Sequence, residues 1–372
     1  MRIGFDAKRM LNNPTGLGNY ARILLNALMR DYHENEYLLF SPKAKDEFMQ
    51  QMHGEFKLYF PALPRMLYPW WRSYTVTDEL IRTGVDIYHG ISNEIPFNLS
   101  QPGIKTVVTI HDLIFLKHNE QYPWIDRQIY TAKTRYAAKH ADAIIAVSQE
   151  TKRDLIQMYG VPEKKITVIY QSVEENFYHK VSEETRAAGL NKYKLPAKYI
   201  LNVGSFFPRK NQIGLIEAFD RIKSQIAEDL VLIGSSGNIL SEVKKKIGDK
   251  KLEGRVHIIT DVSNDDLPVV YQSASVFVFP SLFEGFGVPI LEALFSGTPV
   301  IASRGGAIEE AAGRDALFID PNNAEDIAHR ILQVLKNEAL RKRMTDAGYI
   351  HAQTMTDNVF AAKTMEVYKS IL

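Results

Sequence analysis

Two carboxylates stand in one short stretch, Ser281-Leu282-Phe283-Glu284-Gly285-Phe286-Gly287-Val288-Pro289-Ile290-Leu291-Glu292. Gly285 and Gly287 permit a tight turn, and Pro289 suits the first turn of a helix. The helix that follows, VPILEALF, is apolar nearly all the way round, and Glu292 is its one charge. A carboxylate buried there needs a hydrogen-bonding partner or a ligand hydroxyl, unless it reaches an exposed edge. Glu284 sits in the glycine turn, where backbone N–H groups favour an anion or a hydroxyl; the simpler alternative is that it caps the turn. A second constellation is Gly204-Ser205-Phe206-Phe207-Pro208-Arg209-Lys210-Asn211, which runs straight into an amphipathic helix. Adjacent cations at such a place either hold an anion such as a diphosphate or stand in a solvated loop. Gly16 and Gly18 lie in a glycine-rich loop before another helix, but the third glycine of a dinucleotide fingerprint is missing. His111 and Asp112 follow the run KTVVTI, and His89 follows VDIY. A histidine at a strand's carboxyl end can meet a ligand, cap a helix or pack in the core. For His89 the buried, hydrogen-bonded state is the expectation.

These residues must be positioned by alternating strands and helices. Strands are expected at 2–6, 37–41, 56–60, 85–89, 106–110, 143–148 and 166–170, then at 199–204, 230–234, 256–260, 276–280, 299–302 and 317–320. Helical periodicity marks 17–30, 211–225, 288–296, 324–336, 338–352 and 358–371. The alternation predicts parallel sheets covered on both faces, an α/β architecture of two doubly wound, Rossmann-like halves. Its 372 residues also suit two domains. The polar stretch 173–197 places the division, giving domains at 1–175 and 176–355, with a last helix at 356–372 that can return to the first. Ligands of such sheets bind beyond the carboxyl ends of the strands, so an interdomain cleft is expected to collect the residues above.

Composition excludes several classes. With 45 basic and 44 acidic residues there is no field to draw the chain onto nucleic acid. The absence of cysteine removes disulfide scaffolds, thiolate zinc sites and cysteine nucleophiles. No apolar run is long enough to span a bilayer, and MRIGFDAKRM does not read as a signal peptide, so cytoplasm is the expected location. No D-x-D, H-E-x-x-H, G-x-S-x-G or G-K-[ST] motif occurs. No metal and no cofactor is therefore expected. The segment 61–72, PALPRMLYPWWR, mixes Tyr68, Trp70 and Trp71 with arginine; packing beneath the loops is the expectation, and peripheral contact with a membrane is the alternative.

FEGFGVPILEA, followed by SGTPVI, resembles the E-x7-E motif of retaining glycosyltransferases of family 4, which have the two-Rossmann-domain GT-B fold. VGSFFPRKN resembles that family's G-x-x-x-x-R-K-N segment, and TIHDLIFL is similar to a subset that includes mannosyltransferases. The resemblance implies a nucleotide-sugar donor, GDP-mannose or a UDP-hexose, and a glycan or lipid-linked acceptor on the first domain. It implies that Arg209 and Lys210 carry the diphosphate, that Glu284 holds a sugar hydroxyl with the N–H groups of Phe286, Gly287 and Val288, and that Glu292 holds the ribose. Gly204, Ser205, Gly16 and Gly18 would line the donor, and His111 would touch its sugar or phosphate. Retention by front-face displacement, with the leaving phosphate as base, is also implied. The chain departs from the family at Gln171-Ser172-Val173 and at Gly306-Ala307-Ile308-Glu309. An epimerase or hydrolase of the same fold, and a sugar-nucleotide sensor without turnover, are the alternative functions.

Overall fold

Runs such as Ala143–Ala146 (AIIA), Val276–Phe279 (VFVF) and Val300–Ser303 (VIAS) are apolar almost without a break. A parallel strand covered on both faces has no wet side, so continuous apolarity is what burial demands. The computed structural model describes residues 1–99, 103–118, 122–234 and 237–372. It divides into two units, residues 1–172 with 355–372, and residues 173–354.

Among the described residues the first unit has seven strands: β1 (Arg2–Asp6), β2 (Glu36–Phe40), β3 (Lys57–Tyr59), β4 (Ile87–Gly90), β5 (Lys105–Ile110), β6 (Ala143–Ala146) and β7 (Ile166–Val168). They form one parallel sheet in the order β3-β2-β1-β4-β5-β6-β7, with Ile3 opposite Tyr37 on one side and Ile87 on the other. The second unit has β8 (Tyr199–Val203), β9 (Asp229–Ile233), β10 (Val256–Ile259), β11 (Val276–Phe279), β12 (Val300–Ser303) and β13 (Leu317–Ile319). Their order is β10-β9-β8-β11-β12-β13. Each sheet is wound outward in both directions from its first strand. Each therefore has a topological switch point, between β1 and β4 and between β8 and β11, where helices diverge and leave a crevice beyond the strand ends. The fold is the expected pair of doubly wound α/β sheets.

The last helix, Asp357–Ile371, belongs to the first unit and packs on the helix Gly16–Asp31. Phe360 lies against Tyr20, ring centres 5.1 Å apart, and Asp357 pairs with Arg30 at 2.7 Å. Beneath them, His89 on β4 is wholly buried between two hydroxyls, Tyr368 at Nδ1 (2.7 Å) and Thr109 at Nε2 (2.8 Å). Burial holds its pKa down at about 3, so the ring is neutral. His89 is thus a satisfied core residue, as expected.

The structure adds to the sequence reading of two segments. The stretch 173–197 contains a helix, Glu183–Lys192, capped by Ser182, which accepts from the Thr185 N–H. It buries only Gly189, so no apolar stripe marks it in the sequence. In 61–72, packing beneath the loops holds for Trp71, which is 2% exposed and donates to Glu79 Oε1, but not for its neighbours: residues 62–67, 69 and 70 are all exposed. No helix among the described residues is long and apolar enough to cross a membrane.

Replacing Tyr368 by Phe keeps the ring packing and strips His89 Nδ1 of its partner. Urea unfolding at neutral pH should show a loss of about 1–3 kcal/mol, the cost of an unsatisfied buried polar atom.

Candidate functional site

The second unit's switch point is built from two loops. β8 ends at Val203, and Gly204 continues it by donating to the Ile233 carbonyl. The chain then makes a single 3₁₀ turn, Pro208–Lys210, and enters the helix Gln212–Ile222 through Asn211, which holds a left-handed conformation at φ 55°. The Asn211 side-chain amide donates to the carbonyls of Pro280 and Pro321, and Gln212 donates to those of Gly204 and Ser205. From the other side, the Leu282 N–H donates to the Arg209 carbonyl at 2.8 Å. Two of these bonds, Asn211 to Pro280 and Leu282 to Arg209, join the loops after β8 and β11 into one rim.

On that rim Glu284 faces both cations. Its Oε1 accepts from Lys210 Nζ at 2.5 Å, and its Oε2 pairs with Arg209. Lys210 is 9% exposed, and its ammonium also lies over the Phe279 ring, 5.0 Å from the centroid. Burial pushes the Glu284 carboxyl up, but attraction to Lys210 and then to Arg209 outweighs this and leaves it below its ordinary value. Burial likewise draws Lys210 down, only partly offset by Glu284. Glu284 is therefore the bridge between two loops and not a cap of its own turn. The ionised triad carries one net positive charge at the crevice.

Gly287, at φ 132°, opens the helix Val288–Phe295 in a conformation that side chains other than glycine rarely adopt. Phe286 beside it is buried, and Val288 is half-buried. Glu292 is partly buried on this helix, and its Oε2 accepts from the Tyr271 hydroxyl at 2.6 Å. Burial pushes its pKa up to about 7, with the Tyr271 bond opposing the shift. So the two carboxylates differ: Glu284 is firmly ionised, and Glu292 is half-protonated near neutrality. Tyr271 escaped the sequence reading because it sits on a separate helix, Leu267–Gln272, with no motif around it. Glu309, where the family resemblance fails, accepts from the Gly305 N–H at 2.8 Å and so caps its own helix.

The structure thus brings Gly204, Ser205, Arg209, Lys210, Glu284, Phe286, Gly287, Val288 and Glu292 to the second unit, whereas Gly16, Gly18 and His111 belong to the first. A Cβ on Gly18 would stand 1.9 Å from the Asn13 carbonyl, so the loop's closeness requires glycine there; around Gly16 the space is open. His111 is 6% exposed, touches the Tyr20 ring edge-on, and donates from Nε2 to the Ile91 carbonyl at 2.9 Å. Burial holds its pKa down at about 4. The ring is neutral at pH 7, so it can hydrogen-bond a sugar hydroxyl but brings no positive charge to a phosphate. Asp112 accepts from the Ile114 N–H and so caps the short helix Ile114–Lys117.

At the first unit's own switch point, the sequence reading missed a second buried charge cluster. Asp6, the last residue of β1, takes two bonds from Arg72, which also pairs with Glu94; Lys133 completes the set at 2.7 Å from Glu94. Burial raises the Asp6 pKa, but Arg72 more than compensates and the net shift is downward. Position at a strand end was the one available signal.

The raised pKa of Glu292 has a signed consequence. A carboxyl that prefers its proton when folded, about 7 against about 4.3 unfolded, supports the fold below the lower value and loses that support as pH rises toward 7. Glu292→Gln removes the titration. Its stability relative to the parent, from urea unfolding at a series of pH values, should improve between pH 5 and 7 and level off above.

Comparison with known proteins agrees with this fold. Residues 14–177 match the model described as Glycosyltransferase Family 4, and residues 186–351 match Glycosyl transferases group 1. An O-antigen chain mannosyltransferase B of Escherichia coli is 27% identical over 99% of this chain and 100% of its own. A mannosylfructose-phosphate synthase of Agrobacterium fabrum is 29% identical over 58% of this chain, a span that is 50% of that relative. Among solved structures, Anabaena HepE in complex with UDP and glucose superposes with a TM-score of 0.78 over the full length of both chains at 18% identity. With one model lying over each sheet and the fold matched end to end, the chain is a glycosyltransferase of the GT-B fold.

Proposed function

We propose that this glycosyltransferase transfers a mannosyl group from GDP-mannose to a glycan or lipid-linked acceptor, with retention of anomeric configuration and without a metal ion. The observation that carries the reading is the Arg209–Glu284–Lys210 triad at the β8/β11 switch point. A diphosphate needs fixed positive charge, and here two cations are already held in place by one carboxylate, so little reorganisation opposes binding. Mannose is favoured over glucose by the mannosyl relatives and by the TIHDLIFL stretch. UDP in the structurally similar HepE keeps a UDP-hexose as the competing donor.

In this reaction the bond from the sugar's anomeric carbon to the β-phosphate oxygen breaks, and its electron pair stays on that oxygen. Arg209 and Lys210 stabilise the charge that grows there, in the role a divalent cation plays elsewhere. The acceptor hydroxyl attacks from the face the phosphate leaves and gives its proton to the departing phosphate oxygen. Front-side attack of this kind conserves the anomeric configuration. Glu284, fixed and ionised, accepts a hydrogen bond from a sugar hydroxyl, and Glu292 accepts from the ribose hydroxyls. The N–H groups of Phe286, Gly287 and Val288 stand at a helix start and support the same group. The first unit takes the acceptor, and His111 offers Nδ1 to a sugar hydroxyl.

Two measurements test this. In thermal unfolding with a panel of nucleotide sugars, GDP-mannose should raise the melting temperature most, since ligand binding to the folded state alone stabilises it. Lys210→Met, which keeps the stem against Phe279 and removes the charge, should lower kcat by about 10²-fold or more while the protein stays folded. Near-parental turnover in that variant, or a product of inverted configuration by proton NMR, contradicts the proposal.

A further inference from the structure

Among the described residues the three most exposed large apolar side chains of the first unit fall in two stretches. One is the pair of short helical turns Arg65–Leu67 and Tyr68–Trp70 before the π-helical turn Trp71–Thr75, where Met66 is 84% and Trp70 55% exposed, with Leu63 and Leu67 beside them. The other is the start of the helix Trp124–His140, where Trp124 and Ile125 are 66% and 65% exposed and Ile129 is open as well. Large apolar groups clustered in this way mark a surface that something covers. The two stretches are joined by a ladder of rings, Trp70 on Tyr74, Tyr74 on Phe97 and Phe97 on Tyr136, with centres 4.3, 5.5 and 4.8 Å apart. Tyr136 lies on the same helix as Trp124, twelve residues further along, so the ladder reaches that helix toward its C-terminal end.

Charge identifies what covers it. No acidic residue occurs from Phe56 to Thr77, while Arg65 stands exposed among the apolar groups. The helix buries only Thr134, Ala137 and Ala138, so the opposite face turns outward. At 100° per residue that outward face carries Trp124, Ile125 and Ile129 toward the N-terminus, then Arg135 and Lys139, both exposed. Asp126 is the one acid of the helix, and it sits in the first turn. In a chain of net charge +1, this is a local excess of positive charge on the same helix face as tryptophan and isoleucine, toward its other end. Aromatic and aliphatic groups that enter the headgroup region, flanked by arginine and lysine, are the chemistry of an anionic lipid surface. A protein partner would equally cover apolar groups, but it would not account for the cations arranged around them.

We propose that Leu63–Trp70 and the outward face of Trp124–His140 together dock this protein on an anionic phospholipid bilayer, peripherally and without a spanning segment. The surface is independent of the second unit's chemistry and stands or falls separately from the donor assignment. Flotation tests it, with vesicles of phosphatidylglycerol mixed into phosphatidylcholine set against phosphatidylcholine alone. The parent protein should float with the anionic vesicles only, and high salt should release it. The pair Met66→Ser with Trp70→Ser, and separately Trp124→Ser with Ile125→Ser, should each reduce the bound fraction about tenfold, because the buried apolar area sets the strength of such binding. Arg135→Gln with Lys139→Gln should weaken binding to anionic vesicles alone. Melting temperatures should stay within a degree or so of the parent, since exposed positions contribute little to stability. Failure of the parent to float, equal binding to both vesicle types, or flotation unmoved by the serine pairs overturns the proposal. So does a dimer in light scattering that the serine pairs abolish, because the surface would then be covered by a second copy.

Discussion

A carboxylate shared between two cations holds the second unit's crevice in shape. Glu284 arrives on the loop after β11, and Arg209 and Lys210 arrive on the loop after β8. The backbone bond from Leu282 to Arg209 and the ion pairs join the two loops. Removing these charges from water is costly and their mutual attraction offsets it; if Lys210 is lost, Glu284 still keeps Arg209 as its partner. The crevice is thus rigid by electrostatic necessity. Two cations are thereby held at the crevice, which is what the proposed reaction asks of a site for a leaving diphosphate.

The first unit repeats the device with other residues. Arg72 grips Asp6 at the end of β1 and Glu94 past the end of β4, so here too a guanidinium ties together the two sides of a switch point. The common cause is topological. Helices diverge at the point where a doubly wound sheet changes direction, and the gap they leave must be filled by groups that can bond across it. Buried histidines serve the same end more quietly. His89 and His111 are both held neutral by burial and spend ring nitrogens on hydroxyls or a carbonyl, positioning α-helix and strand ends without adding charge.

Much of the sheet architecture was legible in the chain because burial on both faces leaves a plain signature. AIIA and VFVF are unbroken apolar runs, KTVVTI and VIAS are mostly β-branched or apolar, and the four became β6, β11, β5 and β12. Glu183–Lys192 left no such trace, because a helix that buries only a glycine needs no apolar stripe. At the candidate site, residue types beside strand ends pointed to Arg209, Lys210, Glu284 and Glu292. What they bond to was not readable: Glu284 and Lys210 are 74 positions apart and meet only because β8 and β11 are neighbours in the sheet. The Tyr271–Glu292 bond and the Asp6–Arg72 cluster were hidden for the same reason. In 61–72 the aromatics were visible, but the sequence could not say that Trp71 turns inward while Trp70 turns out.

The most direct test of the account is a crystal structure of the protein with a bound nucleoside diphosphate. The account predicts the β-phosphate oxygens within hydrogen-bonding distance of the Arg209 guanidinium and Lys210 Nζ, with Glu284 still between the two cations and the ribose hydroxyls on Glu292. A diphosphate seated away from Arg209 and Lys210, or held there by neither of them, would contradict it.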